Sequence, residues 1–582
     1  MPPPATSAPP PTPPPTPQQS TYADRPSDLT FTSRRSPVLA SRGLVACSQP
    51  LAAEAGLSIL KAGGNAVDAA VAMAAALAVT EPCSTGLGGD CFLLYYDGAA
   101  VHSLNGSGRS PAALSAAIVR RDCAVEGHAM PFTHAHTVTV PGACAGWCDA
   151  LDKWGSLPLS TVLAPAIRLA EDGFPVAPIA AYHWQLQAPL LLRHSRLAAA
   201  APAELLLADA AAPHGARAPR VGEIWRNPPL AATLRLVAAG GKRAFYRGAP
   251  AAAIAALVGE AGGVMAEADL AAHAEAPSTP PPLAVRFCGV EVHEAPPNGS
   301  GVAALLALRL LDGMAPHPRD EAHNSAAYLH LLIEAMRLAF ADTRWYVTDP
   351  EHCSIPLEEL LSEEYAAERR KLINPHAAAV DVRKGSPVVG SDTVSFQVVD
   401  ANGHAVSMAN SNYAGFGTGL VPKGCGFSLQ NRGANFSLEP GHPNELRPSK
   451  RPYHTILPAI ATKDGELYAS FSNMGGFMQP QGHVQLMMNL LAFGMEPQAA
   501  VDAPRFCIGG ISNGSEGSGE VLLEEGIAPA VAEELRRMGH NVRLVHGHER
   551  AVFGRAQIIQ RHRNGCLWAG SDGRADGMAL GW

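Results

Sequence analysis

Gly390-Ser391-Asp392-Thr393-Val394-Ser395-Phe396-Gln397-Val398-Val399-Asp400 is the stretch on which the reading of this chain turns. Thr393, Ser395 and Gln397 alternate with Val394, Phe396 and Val398. A strand, with its period of two residues, sorts these into a polar and an apolar face and sets Thr393 at the polar lip. In Asp400-Ala401-Asn402-Gly403 the Asn-Gly pair is expected to supply the positive φ angles of a tight hairpin. His404 to Asn410 reads as the returning strand, and Ser411-Asn412-Tyr413-Ala414-Gly415-Phe416-Gly417-Thr418-Gly419 follows as a glycine-spaced loop. A threonine that opens a strand is by itself an ordinary structural residue. Cleavage between Asp392 and Thr393 would change its chemistry, because one residue would then hold both a hydroxyl nucleophile and a free α-amine to act as its base.

Other motifs fall in order on both sides of this junction. Before it come Val45-Ala46-Cys47-Ser48-Gln49-Pro50, Gly63-Gly64-Asn65-Ala66-Val67-Asp68, Gly86-Leu87-Gly88-Gly89-Asp90 and Val140-Pro141-Gly142-Ala143-Cys144-Ala145-Gly146-Trp147. After it come Phe416-Gly417-Thr418-Gly419, Lys450-Arg451-Pro452, Gly475-Gly476 and Asp502-Ala503-Pro504-Arg505. Each is weak alone. The ordered series, over about residues 35 to 582, resembles the γ-glutamyltransferase (glutathione hydrolase) family of N-terminal-nucleophile hydrolases.

That resemblance implies a precursor that processes itself. The Thr393 hydroxyl attacks the Asp392 carbonyl, an ester forms by N-to-O acyl shift, and water releases two pieces that stay associated. The new amine then serves as base while Thr393 attacks a substrate amide, and water or an acceptor amine resolves the acyl-enzyme. Gly475 and Gly476 match the glycine pair whose amides form the oxyanion hole. Ser411 matches a hydroxyl residue bonded to the threonine, and Asn431 a residue lining the pocket. The implied fold is α+β, a four-layer αββα sandwich formed jointly by a large-subunit region, 35–392, and a small-subunit region, 393–582.

Several positions depart from the family pattern. Its γ-glutamyl enzymes grip the substrate α-carboxylate with an arginine in a large-subunit loop and the α-amine with an aspartate. Here the first position is Ser107, with Arg109 two residues on, and the second is Asn435. Arg432 replaces an acidic or amide pocket residue, Tyr413 an asparagine, and His454-Thr455 a serine pair. Arg109, Tyr413, Asn431, Arg432, Asn435, His454 and Thr455 are therefore the candidate substrate-binding residues. An ammonium group loses its carboxylate partner, while a carboxylate gains a guanidinium near the nucleophile. The family name implies a γ-glutamyl amide such as glutathione as substrate. These residues look closer to the family's oxamate amidohydrolase-like and acylase-like branch, which is the alternative. Two further readings are an unprocessed binding protein that keeps only the fold, and a serine hydrolase built on Gly106-Ser107-Gly108, which lacks the G-x-S-x-G context.

Composition agrees with a large enzyme. Apolar residues make up 47% and charged residues 16% of 582, enough for a sizeable core without a disordered signature. The formal net charge of −8 and the lack of a basic patch argue against nucleic-acid binding. Eleven cysteines, an odd number, make a disulfide framework improbable. Cys144 and Cys148 read as small buried residues. His128, His134 and His136 lack the H-E-x-x-H spacing of a helical zinc site and read as loop histidines, so no metal and no cofactor is expected.

The first 20 residues hold ten prolines and no charge, and residues 1–34 are expected to form an extended, disordered tail. No apolar signal-peptide core is present, and the apolar run Ala66 to Thr80 is short of a membrane span. A cytoplasmic enzyme is expected, with organellar targeting by the tail as the alternative. Helical spacing appears over Leu51 to Leu60, Ala66 to Ala78, Ala327 to Thr343, Gln481 to Phe493 and Ile527 to Met538. Strands are expected over Thr455 to Ala461, Glu466 to Phe471, Gly519 to Leu523, Asn541 to Leu544 and Ala556 to Arg561, with an irregular lobe over about Leu191 to Val221.

Overall fold

The computed structural model describes residues 35–212, 214–379, 392–509 and 519–582. The expected tail and the residues just ahead of Asp392 lie outside these ranges. Two antiparallel sheets carry the architecture. The six-stranded sheet runs in the order Met578–Gly581, Leu44–Cys47, Asp392–Val399, Ala405–Tyr413, Asp90–Tyr96, Val101–Gly106. The seven-stranded sheet runs Val38–Ala40, Leu567–Ser571, Ala556–Arg561, Glu466–Asn473, Ala459–Lys463, Val290–Glu294, Leu283–Phe287. Each sheet thus interleaves strands from both sides of residue 392, so neither half of the sequence completes either sheet alone.

The alternation around Thr393 is realised, but both faces of the strand are buried. Val394, Phe396 and Val398 join a core cluster with the helix Ala66–Thr80. Every residue of that alanine-rich helix is buried, and Asn65 with Asp68 closes a reciprocal capping box at its start. Small side chains let the helix lie close against the sheet. Gln397, on the opposite face, donates to Ser472 Oγ at 2.7 Å and accepts from Ser470 Oγ at 2.5 Å, both on the seven-stranded sheet. An apolar cluster that includes Leu44, Leu94, Val399, Ile460, Leu467 and Ile559 packs the two sheets together. The seven-stranded sheet turns Val292, Ala461, Phe471 and Ile558 toward helices Gly301–Asp312, Ala326–Tyr346 and Met478–Met487.

The expected hairpin forms with a different turn. Gly403 alone takes a positive φ, 79°, and Asn402 does not. The Asp400 side chain does the remaining work: Oδ1 accepts from the amides of Asn402 and His404 at 2.9 and 3.1 Å, and Oδ2 from the amide of Ala66 at 3.0 Å. One carboxylate therefore closes the hairpin and ties it to the start of the buried helix.

Two element boundaries move for local reasons. The strand expected from Thr455 begins only at Ala459, because the Leu457 amide donates to the Gln479 side chain at 2.8 Å instead of to a ladder partner. The helix expected from Gln481 begins at Met478, with Pro480 in its first turn, where a missing N–H leaves no helical bond unmade. Of the irregular lobe expected over about Leu191 to Val221, the described residues after the helix Pro178–Leu192 hold only one short 3₁₀ turn and two-residue strands. All eleven cysteines lie among the described residues, and none forms a disulfide. No helix among the described residues is long and apolar enough to cross a membrane.

Asp400→Ala would remove the acceptor of three amides, of which that of Ala66 is fully buried. It should destabilise the protein by about 2–3 kcal/mol, in line with the cost of unsatisfied buried groups, seen as a lower denaturant midpoint at unchanged slope.

Candidate active site

Thr393 sits at a β-bulge. Asp392 pairs with Tyr413 and Val394 with Asn410, so the pairing register slips between them and Thr393 faces the Ser411-Asn412 pair. Bulges re-aim a side chain next to functional sites. Here the Thr393 hydroxyl, fully buried, donates to Ser411 Oγ at 3.1 Å. Gln479 Nε2 approaches Thr393 Oγ1 from the other side at 3.5 Å. Ser411 is itself fixed by close backbone contact: a Cβ on Gly89 would stand 2.2 Å from the Ser411 carbonyl oxygen, so only glycine fits there.

Past Ser411 the chain bends through Tyr413, whose φ of 74° is rare for a bulky residue. The Tyr413 amide donates back to Ser411 Oγ at 2.8 Å, and the Ala414 amide donates to Asn431 Oδ1 at 3.0 Å. Asn431 in turn donates to the Phe132 carbonyl at 2.8 Å, and the Phe132 ring lies edge-on to the Tyr413 ring. The strained turn is thus held from two directions.

Arg432 is fully buried beside this turn. Its guanidinium donates to Thr455 Oγ1 at 2.8 Å and to Ser411 Oγ at 3.4 Å, and it stacks over the Tyr413 ring at 4.3 Å from the ring centre. Its Nε has no hydrogen-bond partner, and no carboxylate of the described residues forms an ion pair with it. Burial pulls its pKa down to about 10, against the opposing influence of Tyr413 and Asp90.

His454 is a buried, neutral group. Its Nε2 meets Asp90 Oδ2 at 3.0 Å, and burial, followed by the Arg432 charge, lowers its pKa to about 3. Asp90 lies opposite Ser411 in the neighbouring strand, and its Oδ1 accepts from the amides of Gly108 and Gly142 and from Gln430 Nε2. Lys450-Arg451-Pro452 holds the approach to this histidine: Arg451 pairs with Glu351, and the Asn298 side chain binds the Pro452 carbonyl.

Gly475 and Gly476 take φ values of 120° and 57°. Their carbonyls accept from the amides of Met478 and Gln479, while their own amides donate to no group of the described residues. Two open amides therefore lie immediately before the helix that delivers Gln479 to Thr393.

The structure gathers Thr393, Ser411, Tyr413, Asn431, Arg432 and Thr455 into one constellation, with His454 behind it. Two expected substrate residues stand apart. Arg109 is committed to Glu351 by two bonds, 2.8 and 2.9 Å, and Asn435 donates to the Tyr453 carbonyl as a scaffold group. The Ser107 hydroxyl accepts from the Asn298 side-chain amide at 3.0 Å, and no histidine of the described residues bonds to it, so the serine-hydrolase reading finds no base there. Sequence reasoning missed Gln479 and Asp90. The available signals were a glutamine in the first helical turn after Gly-Gly and an acid ending a glycine turn.

A model of the gamma-glutamyltranspeptidase family matches residues 52–582. The chain belongs to that family. It is 36% identical to the glutathione hydrolase-like YwrD proenzyme of Bacillus subtilis (strain 168), with 94% of this chain and 99% of the relative covered. It is 34% identical to the oxamate amidohydrolase proenzyme of Klebsiella pneumoniae subsp. pneumoniae, covering 94% and 99%. The crystal structure of cephalosporin acylase from Bacillus halodurans superposes with a TM-score of 0.84 at 43% identity, covering 95% of this chain and 98% of that one. This member of the gamma-glutamyltranspeptidase family is thus an amidohydrolase-type enzyme whose relatives are proenzymes.

The depressed pKa of His454 gives a pH signature. An unfolded histidine takes up its proton near pH 6.5, before the folded site does, so the stabilisation is present above pH 6.5 and is lost as pH falls toward about 3. Denaturation midpoints measured across that window should fall less steeply for His454→Gln than for the parent protein.

Proposed function

We propose that the chain is a self-processing amidohydrolase cut between Asp392 and Thr393, acting on small amides that carry a carboxylate close to the scissile carbonyl. The helices and two sheets are read as the αββα sandwich of N-terminal-nucleophile hydrolases, shared between residues 35–392 and 393–582, with the two pieces remaining associated. Once Thr393 is N-terminal, its α-amine takes the proton from its own hydroxyl as that oxygen attacks the substrate carbonyl. The open amides of Gly475 and Gly476 receive the developing oxyanion. The tetrahedral intermediate collapses, the ammonium formed on Thr393 protonates the leaving amine, and the amine departs. Water, deprotonated by the same α-amine, then releases the acid and restores the hydroxyl. Ser411 and Gln479 fix the position of the hydroxyl throughout.

Arg432 carries the substrate assignment. A buried guanidinium without a carboxylate costs several kcal/mol of desolvation, a cost that an anionic ligand offsets. Its hydrogen bond to Ser411, the partner of Thr393, puts that anion next to the reacting centre. A γ-glutamyl head would also need a carboxylate for its ammonium. The acid of this site, Asp90, already has both oxygens engaged, and Asn435 is neutral. The relative named for oxamate, whose amide and carboxylate are adjacent, fits this charge pattern better than those named for glutathione.

Ammonia release from oxamate should therefore exceed cleavage of a γ-glutamyl amide at equal concentration. With processed enzyme, Arg432→Ala should lower kcat/KM for oxamate by about 10–100-fold, the worth of a charge-assisted hydrogen bond. Faster γ-glutamyl cleavage, or unchanged oxamate kinetics in the variant, would contradict the assignment.

A further inference from the structure

The loop that carries Phe132 also assembles a second cluster of reactive side chains. Cys123 ends the helix Ala116–Cys123, and His134 and His136 flank and enter the 3₁₀ turn Ala135–Thr137. One ligating atom from each of the three lies within 4.8 Å of the others. No metal-ligand spacing marks these residues in the sequence, because ten residues separate Cys123 from His134 and only the fold brings the thiol to the imidazoles.

The hydrogen bonds around His136 point to a ligand. Its Nε2 lies 3.0 Å from Asp122 Oδ2, and a carboxylate accepts, so in the neutral imidazole the proton is on Nε2 and the lone pair on Nδ1. That Nδ1 is buried without any partner, in a residue that is 2% exposed. A carboxylate bonded to the outer nitrogen of a histidine whose inner nitrogen is free is the arrangement that orients metal-binding imidazoles. The His134 ring lies 4.7 Å from that of His136, and its Nδ1 accepts the His136 amide at 3.1 Å.

We propose that Cys123, His134 and His136 bind a zinc-class divalent cation, with Asp122 as the positioning carboxylate. One thiolate and two imidazoles form a nitrogen and sulfur donor set suited to such an ion, with water in the fourth position. On binding, the Cys123 proton goes to solvent, His136 coordinates through Nδ1 with no change of protonation, and His134 gives up the His136 amide contact to free a ring lone pair. The ion ties the end of helix Ala116–Cys123 to the loop whose Phe132 carbonyl and ring hold Asn431 and Tyr413. It is thus a structural clamp behind the pocket wall, independent of the substrate assignment. A second cluster, His330, Glu334 and His540, is not of this kind. Both Glu334 oxygens already accept, from Arg337 and the Ala379 amide, and His330 and His540 are bonded to each other at 2.7 Å.

Untagged full-length protein, stripped with chelator and titrated with Co²⁺, tests the proposal. One Co²⁺ per chain should bind with a thiolate-to-metal charge-transfer band that Zn²⁺ displaces. Cys123→Ser should abolish the band, and Asp122→Asn should keep it while weakening affinity roughly 10–100-fold. Because a variant in this loop can misfold, the unmodified protein supplies a second readout. Zn²⁺ should slow alkylation of Cys123, mapped by peptide mass, and leave the half-buried Cys288, Cys353 and Cys566 unaffected. Absence of Co²⁺ uptake, a spectrum without the thiolate band, or equal Cys123 labelling with and without Zn²⁺ would overturn the site.

Discussion

Everything in this molecule hangs on a strand that must be polar and buried at once. Asp392–Val399 lies inside the six-stranded sheet, with the helix Ala66–Thr80 against its apolar face and the second sheet against its polar face. Burying a hydroxyl or an amide without a partner costs about 1–3 kcal/mol. Thr393 and Gln397 are therefore tolerated only because the opposing sheet and the returning strand present Ser411, Ser470 and Ser472. Those bonds tie the strand to the second sheet and to its returning neighbour, where the proposed nucleophile emerges. The bulge between Asp392 and Val394 is the one irregularity in an otherwise continuous ladder, and it falls on Thr393.

The same logic, applied to charge, organises the groups around Thr393. Asp90 and His454 satisfy each other, and the remaining Asp90 oxygen is filled by two amides and Gln430. This leaves Arg432 as a buried charge held by neutral groups: Thr455, Ser411 and the face of Tyr413. The positive φ of Tyr413 is the local strain that brings its ring under the guanidinium, and Asn431 and Phe132 hold it there. Family membership gives the class of chemistry, and the proposed substrate preference rests on a cation that has no carboxylate partner among the described residues.

Local patterns were legible in the sequence. The period-2 strand, the Asn65 to Asp68 capping signal and the alanine-rich helix needed only neighbouring residues to be read, and the family motifs located Ser411, Asn431 and Arg432. What was not legible depends on long-range contacts. Gln479 reaches Thr393 across 86 positions of chain, and in doing so it also draws the Leu457 amide out of the strand that the sequence pattern predicted. Arg109 looked available because nothing nearby in sequence reveals Glu351, which occupies it. Asn402 needed no positive φ because the Asp400 carboxylate closes the turn instead. Cys123 joins His134 and His136 only through tertiary packing.

The central claim is that Thr393 both cuts the chain and performs catalysis, and intact-mass analysis with N-terminal sequencing of the purified protein tests it most directly. The account predicts two fragments, the smaller beginning Thr393-Val394-Ser395, and a Thr393→Ala protein that stays full-length and inactive. An uncleaved parent protein that is fully active, or a Thr393→Ala protein cut at the same bond, would contradict it.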